Sequence, residues 1–207
     1  MKISLLFVIS TFNFGHICGQ SREINAIKNN DVKVFNSKNY LKSKGLNFFI
    51  SYPSFYSAES HNNENIVMQF VDNKKFNLIY NVGVVRTQDL ITSEQKNIIL
   101  LKSNLESSVN VVSPKAIFLN YKTDFKVSEN DAAYIEYISK ISIESKAFIR
   151  QYFIVYDNYL ITMSFTIPVS TNETVEITKA KFNNFKPLFI KIAGTLKIMN
   201  NQNSTQQ

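Results

Sequence analysis

The chain predicts an α+β fold in which a single domain is built on an antiparallel β-sheet flanked by helices. Three features carry this expectation. Residues 146–157 and 158–168 are rich in aromatic and β-branched side chains and meet at Asp157-Asn158, a pair suited to a two-residue hairpin turn. Further segments alternate apolar and polar residues at the period of two that a half-buried strand requires. Two helix-start signals, Thr92-x-x-Gln95 and Ser170-x-x-Glu173, each precede apolar residues at helical spacing.

The N-terminus has one cation, Lys2, then a run from Ile3 to Phe14 that is apolar apart from Ser4, Ser10, Thr11 and Asn13. This is the pattern of a secretory signal peptide, too short for the roughly 18 apolar residues that a membrane span needs. Residues 1–19 are read as the leader, with Gln20 as the first mature residue. His16 and Ile17 stand where a lipoprotein motif carries small residues, so the one cysteine, Cys18, is expected to leave with the leader unlipidated. The mature form then has no disulfide and no membrane span, and stability falls to an ordinary core. The loss of Lys2 lowers the net charge from +7 to +6. The lysines are dispersed and no arginine-rich cluster exists, which argues against a nucleic-acid partner.

Residues 20–44 are polar and weakly periodic, and are read as a loose lead-in that becomes ordered near Tyr40 and Leu41. The domain is placed at 45–199 and a polar tail at 200–207. Residues 47–52 form a first strand that stops at Pro53, which cannot continue a central ladder. Residues 54–65 read as a loop. Residues 66–71 and 76–82 make a hairpin around Asp72-Asn73-Lys74-Lys75. Thr92-x-x-Gln95 caps a helix over about 93–107, with Ile98, Leu101, Leu105 and Val109 on one face. Two strands, 116–122 and 132–140, follow, bridged by 123–131.

In the long hairpin, a two-residue turn sets Tyr156 opposite Tyr159, Ile154 opposite Ile161, Tyr152 opposite Met163, Arg150 opposite Phe165 and Phe148 opposite Ile167. All lie on one face, the core face. The closing helix starts from the Ser170 box. It places Phe185, Leu188, Phe189, Ile192 and Ala193 on its buried face and stops near Gly194, with a kink or restart expected at Pro187.

The strand ending Ile50-Ser51-Tyr52-Pro53-Ser54-Phe55, the meander, the capped helix, the long hairpin, and a closing helix ending Ala193-Gly194-Thr195-Leu196-Lys197-Ile198 resemble the PsbP-like family, which includes the extrinsic photosystem II protein and the Ran-binding Mog proteins. The resemblance covers about residues 45–199 and implies an α/β/α sandwich with a non-catalytic accessory or binding role. The family often carries a Trp shortly after the Tyr-Pro; this chain has no Trp and offers Phe55. No ligand residues carry over.

The residue inventory leaves little room for catalysis. Only His61 remains after cleavage, with Glu64 nearby, and two ligands are too few for a zinc site. Cys-His and Gly-x-Ser-x-Gly chemistry are both excluded, and Gly45, Gly83 and Gly194 are too few and scattered for a phosphate loop. The pairs Glu129/Asp131 and Glu136/Glu144 leave a carboxylate-dependent hydrolase as the alternative, although their contexts read as exposed. No cofactor is expected. Arg150 stands out, because on an apolar face a guanidinium must pair, stack or snorkel. One reading makes it the floor of a ligand cleft lined by Tyr152, Tyr156 and Tyr159; the other lets its stem pack while its head reaches water. The expected function is an exported, secreted or periplasmic, non-catalytic accessory protein. It would bind an envelope protein, a membrane surface or a small ligand.

Overall fold

A computed structural model describes residues 31–72, 78–140, 145–170 and 173–199. The leader, Cys18, Glu144, residues 73–77 and the tail lie outside these. The described elements are β1 (Val32–Asn36), a 3₁₀ turn (Leu41–Ser43), β2 (Phe48–Pro53), β3 (Tyr56–Glu59), β4 (Ile66–Asp72), β5 (Ile79–Arg86), α1 (Ser93–Ile99), α2 (Lys102–Val112), β6 (Ile117–Val127), β7 (Asn130–Lys140), β8 (Lys146–Tyr156), β9 (Tyr159–Pro168), α3 (Val175–Ala193) and β10 (Lys197–Ile198). Strands β3, β4, β5, β9, β8, β7 and β6, in that order, form one seven-stranded sheet, and β1, β2 and β10 a second of three strands. Every pairing is antiparallel.

The β8–β9 hairpin has the register that its turn requires, with Tyr156 opposite Tyr159, Arg150 opposite Phe165 and Phe148 opposite Ile167. Asp157 takes a positive φ of 48° and Asn158 does not, so the left-handed backbone is confined to the first turn position. Side chains of odd and even parity enter two different cores. On the inner face, Phe165 stacks on Tyr80 (5.4 Å between centroids) and on Phe189 of α3 (4.8 Å), while Tyr152 meets it edge-on at 5.8 Å. Offset and edge-on contacts of this kind add to plain area burial. On the outer face, Leu105 and Val109 of α2, with Ile91 and Leu100, cover Ile135, Tyr137, Ile149, Phe153 and Leu160. Helices therefore lie on both sides of the large sheet.

Several boundaries differ from expectation, each for a local reason. The stretch read as a loose lead-in contains β1, which pairs with β2 and buries Phe35; its polar residues alternate with a few apolar ones, a pattern too short to register. Within the expected loop 54–65, β3 pairs with β4. The expected bridge 123–131 shrinks to a turn, because Ser128 and Glu129 accept positive φ of 47° and 71° and let β6 and β7 run on. The Thr92 capping box is present, with Gln95 N donating to Thr92 Oγ1 (3.2 Å) and Thr92 N to Gln95 Oε1 (2.9 Å). The helix that it starts ends at Ile99, however, and a second begins at Lys102; the break leaves Ile98 and Leu101 exposed and buries Leu100 in their place.

The closing helix is capped by Thr174, whose hydroxyl accepts from Ile177 N, and not by Ser170. The Glu173 carboxylate is used instead by the Thr178 hydroxyl and the Lys181 ammonium. Pro187 does not restart the helix, which is continuous from Val175 to Ala193. The carbonyl deprived of its partner belongs to Asn183, and both residues face solvent, where water can satisfy it. Gly194 is the C-cap, in a right-handed conformation.

The core also contains buried tyrosines. Burial pushes both Tyr80 and Tyr137 above the ordinary tyrosine range; the neighbouring Tyr56 and Tyr52 add to the effect at Tyr80. Tyr137 donates to Gln151 Oε1 at 3.1 Å, whereas the Tyr80 hydroxyl has no hydrogen-bond partner among the described residues.

Two predictions follow from this packing. Phe165→Ala should cost about 3–5 kcal/mol in a denaturant titration, and Thr166→Ala, on the opposite face, about 1 kcal/mol or less. Both tyrosines are neutral when protonated and ionise later in the folded state. Their contribution is thus complete below about pH 10, the ordinary tyrosine value, and is lost as pH rises toward the folded values. Stability measured from pH 8 upward should fall above about pH 10. Tyr80→Phe should flatten that fall at little cost or with a gain, whereas Tyr137→Phe should cost about 1–2 kcal/mol at neutral pH through the stranded Gln151 oxygen.

Candidate functional site

Position 150 on β8 is directly opposite Glu136 on β7 and Phe165 on β9. Arg150 and Glu136 therefore both point into the inner core, where they are 3% and 1% exposed. Arg150 Nε donates to Glu136 Oε1 at 2.8 Å and Nη2 donates to the same oxygen. Nη1 donates to the Tyr152 hydroxyl oxygen at 3.1 Å. The second carboxylate oxygen, Oε2, accepts from Lys186 Nζ of α3 at 2.9 Å. The guanidinium also lies over the Tyr134 ring, 4.5 Å from its centroid, with Phe189 5.9 Å away. Burial opposes the charge on Arg150, but the Tyr152 hydroxyl and Glu136 outweigh it and hold the group above its ordinary value. Burial likewise raises Tyr152, with Arg150 partly opposing it.

This arrangement is a structural charge cluster, and it corrects both readings of Arg150. The guanidinium neither floors an open cleft nor snorkels to water; it is paired and stacked in the interior. Tyr152 is its buried acceptor. Tyr156 and Tyr159 lie at the turn end of the hairpin and are half-buried. The Tyr159 hydroxyl donates to Lys44 O at 3.2 Å, and Arg86 lies over its ring at 5.6 Å. The four residues do share one sheet face, as their parity requires, but they do not converge on one site.

The carboxylates are similarly dispersed. Glu136 is not exposed, as its context suggested, but committed to Arg150 and Lys186. Glu129 sits exposed in the β6–β7 turn, and Asp131 pairs with Lys96 at 3.3 Å. His61 Nδ1 accepts from Asn63 N at 3.0 Å within its own loop. Among the described residues no three His, Cys, Asp or Glu side chains are grouped closely enough to hold a metal ion. What the sequence reading missed was the pairing of Glu136 with Arg150. Its signal was available: Ala132, Tyr134, Glu136 and Ile138 share one parity, with a single charge in an otherwise apolar set, as Arg150 is on the next strand.

The exposed feature that does stand out is β6. It is one edge of the large sheet and eleven residues long, whereas the opposite edge, β3, has four. Ile117, Leu119 and Tyr121 are 55%, 39% and 45% exposed. Lys102 of α2 places its ammonium over the Tyr121 ring at 4.6 Å. Lys115, Lys122 and Lys126 are exposed along the same edge, against one acid on the strand, Asp124. Bulges between Phe118 and Asn120 and between Lys122 and Phe125 interrupt the ladder with β7.

A seven-stranded antiparallel sheet between helices, closed by a small second sheet, is an α/β/α sandwich. Among solved structures the chain is similar to the Ran-binding protein Mog1p of Saccharomyces cerevisiae, with a TM-score of 0.58 and 11% identity over 83% of this chain and 97% of that one. It also matches the cyanobacterial PsbP of Synechocystis (0.49; 11% identity; 82% and 93%) and LpqN of Mycobacterium tuberculosis (0.43; 9%; 86% and 96%). No family model and no curated protein matches the chain. At these identities the likeness shows the fold alone.

A double-mutant cycle on the buried pair tests the structural assignment. Glu136→Leu alone should cost about 3–5 kcal/mol, because it strands the buried guanidinium; Arg150→Met should cost less, because Glu136 keeps Lys186, and the double variant should cost far less than the two added together. Denaturant unfolding of all four proteins measures this.

Proposed function

We propose that the mature chain is an exported, non-catalytic binding module whose partner is a protein. The observation that carries this reading is the division of its charged residues. Among the described residues the buried pair Glu136–Arg150, with the partly exposed Lys186 beside it, has each carboxylate oxygen and the guanidinium already engaged, two cations against one carboxylate. The notable solvent-facing surface is a basic strand edge with exposed apolar side chains. Such a surface suits association better than bond-making, which needs titratable groups free to meet a substrate. The fold supports the same direction, since Mog1p, which shares it, is a Ran-binding protein. Export rests on Lys2 and the short apolar run after it. Among the described residues no helix is long and apolar enough to cross a membrane.

Three measurements test the proposal. N-terminal sequencing of the mature protein should read Gln20 first; a retained Met1 or a lipid-modified Cys18 would overturn the export route. The purified protein should form a complex of fixed stoichiometry with a component of the cell's envelope or exterior fraction. It should also show no turnover of ester, amide or glycoside substrates. Turnover abolished by Glu136→Gln in a folded protein would replace the binding reading with the carboxylate hydrolase.

A further inference from the structure

Strand β6 pairs with β7 on one side only, so its other side presents backbone groups without a strand partner among the described residues. An edge of this length is a template for a further strand unless something blocks it. The two bulges and the lysines are such blocks against a second copy of this chain. Laying β6 against another β6 would bring both copies' Lys115, Lys122 and Lys126 along one seam, with Asp124 the one acid on each strand to offset them. The same lysines favour a strand of opposite charge. Tyr121 shares the outer face with Ile135, under Lys102, and Lys122 shares the inner face with Tyr134. A segment lying along the edge therefore meets a cation on either side and apolar side chains between.

We propose that β6 is the docking edge for an extended acidic segment of a partner protein, with apolar side chains seated against Ile117 on the inner face, Tyr121 on the outer face and Leu119 at the bulge between them. Its carboxylates would be met by Lys115, Lys122 and Lys126, and by Lys102 in competition with Glu106, which pairs with it at 3.5 Å. This deepens the binding-module reading and rests on it. Because the bulges break the ladder, main-chain pairing alone holds such a segment poorly, and affinity depends on both the apolar anchors and the charges.

The probe is a fluorescent peptide of about ten residues in which two glutamates alternate with two leucines, so that a strand presents both types of side chain to each face. Titrated with the full mature chain, it should bind saturably, weaken as salt rises, and shift the amide signals of residues 117–126. The double variant Leu119→Ser/Tyr121→Ser and the charge reversal Lys122→Glu should each weaken binding by about tenfold, the second with a shallower salt dependence. Val34→Ser on β1 should leave binding unchanged. Unaltered melting temperatures establish that the variants are folded. Wild-type affinity in both β6 variants overturns the proposal, as does equal binding of a peptide with lysine in place of glutamate. Concentration-dependent dimerisation abolished by Leu119→Ser would assign the edge to a second copy, and binding of anionic vesicles but not of the peptide would assign it to a membrane; either result overturns the proposal. A natural partner that both β6 variants still bind fully sinks the β6 assignment and leaves the binding-module reading standing, whereas absence of any partner sinks that reading itself.

Discussion

The ion pair between Glu136 and Arg150 is the constraint on which the rest of the interior depends. Each group, taken alone into a core of aromatic rings, would cost several kcal/mol, so neither is tolerated there without the other. The two meet because β7 and β8 pair in the one register that sets position 136 opposite position 150. A slip of one residue would turn one of them to the outer face and leave the other unpaired. The same carboxylate reaches Lys186, and the same guanidinium lies near Phe189, so the pair meets α3 on the face that its apolar residues bury. A buried pair adds little net stability over well-packed apolar residues; its weight lies in what is lost when register or helix orientation fails.

Around that pair the sheet is finished differently on its two faces. The inner face is aromatic, with rings from β4, β5, β8, β9 and α3 in contact from Phe70 through Tyr80 and Phe165 to Phe189. The small sheet closes this core through β2, and Thr195 anchors the chain after α3 by accepting from Ser51 N at 3.0 Å. The outer face is covered by α1 and α2 with smaller aliphatic groups. Both faces are covered by helices, and the sheet itself is open to a partner only at its edges. The short β3 edge offers little, and the long β6 edge carries exposed apolar side chains among lysines.

This bears on how function is read from such a fold. The arginine that looked most like a site was conspicuous because it broke an apolar pattern, and the structure shows it doing so as one half of a buried pair. The residues of β6 drew no attention in the sequence because exposed apolar residues at strand period look the same as core residues. Exposure separates them, and exposure depends on which strand is last in the sheet.

The long hairpin was legible because a two-residue turn at Asp157-Asn158 leaves one register, and that register assigned the face of every residue from Phe148 to Ile167. The Thr92-Gln95 box was legible for a similar reason: both its hydrogen bonds form within four residues. Local chemistry of this kind is complete in the chain. Strand β1 was not legible, because its stability comes from pairing with β2 and from burying Phe35 against Phe70, contacts made across long sequence separations. The use of Thr174 over Ser170 as the cap, the continuity of α3 through Pro187 and the partner of Arg150 also waited on tertiary packing. In each, two local outcomes of similar energy were available. The choice was made by what the fold supplied: Thr178 and Lys181 for Glu173, an exposed position for Asn183, and Glu136 for the guanidinium.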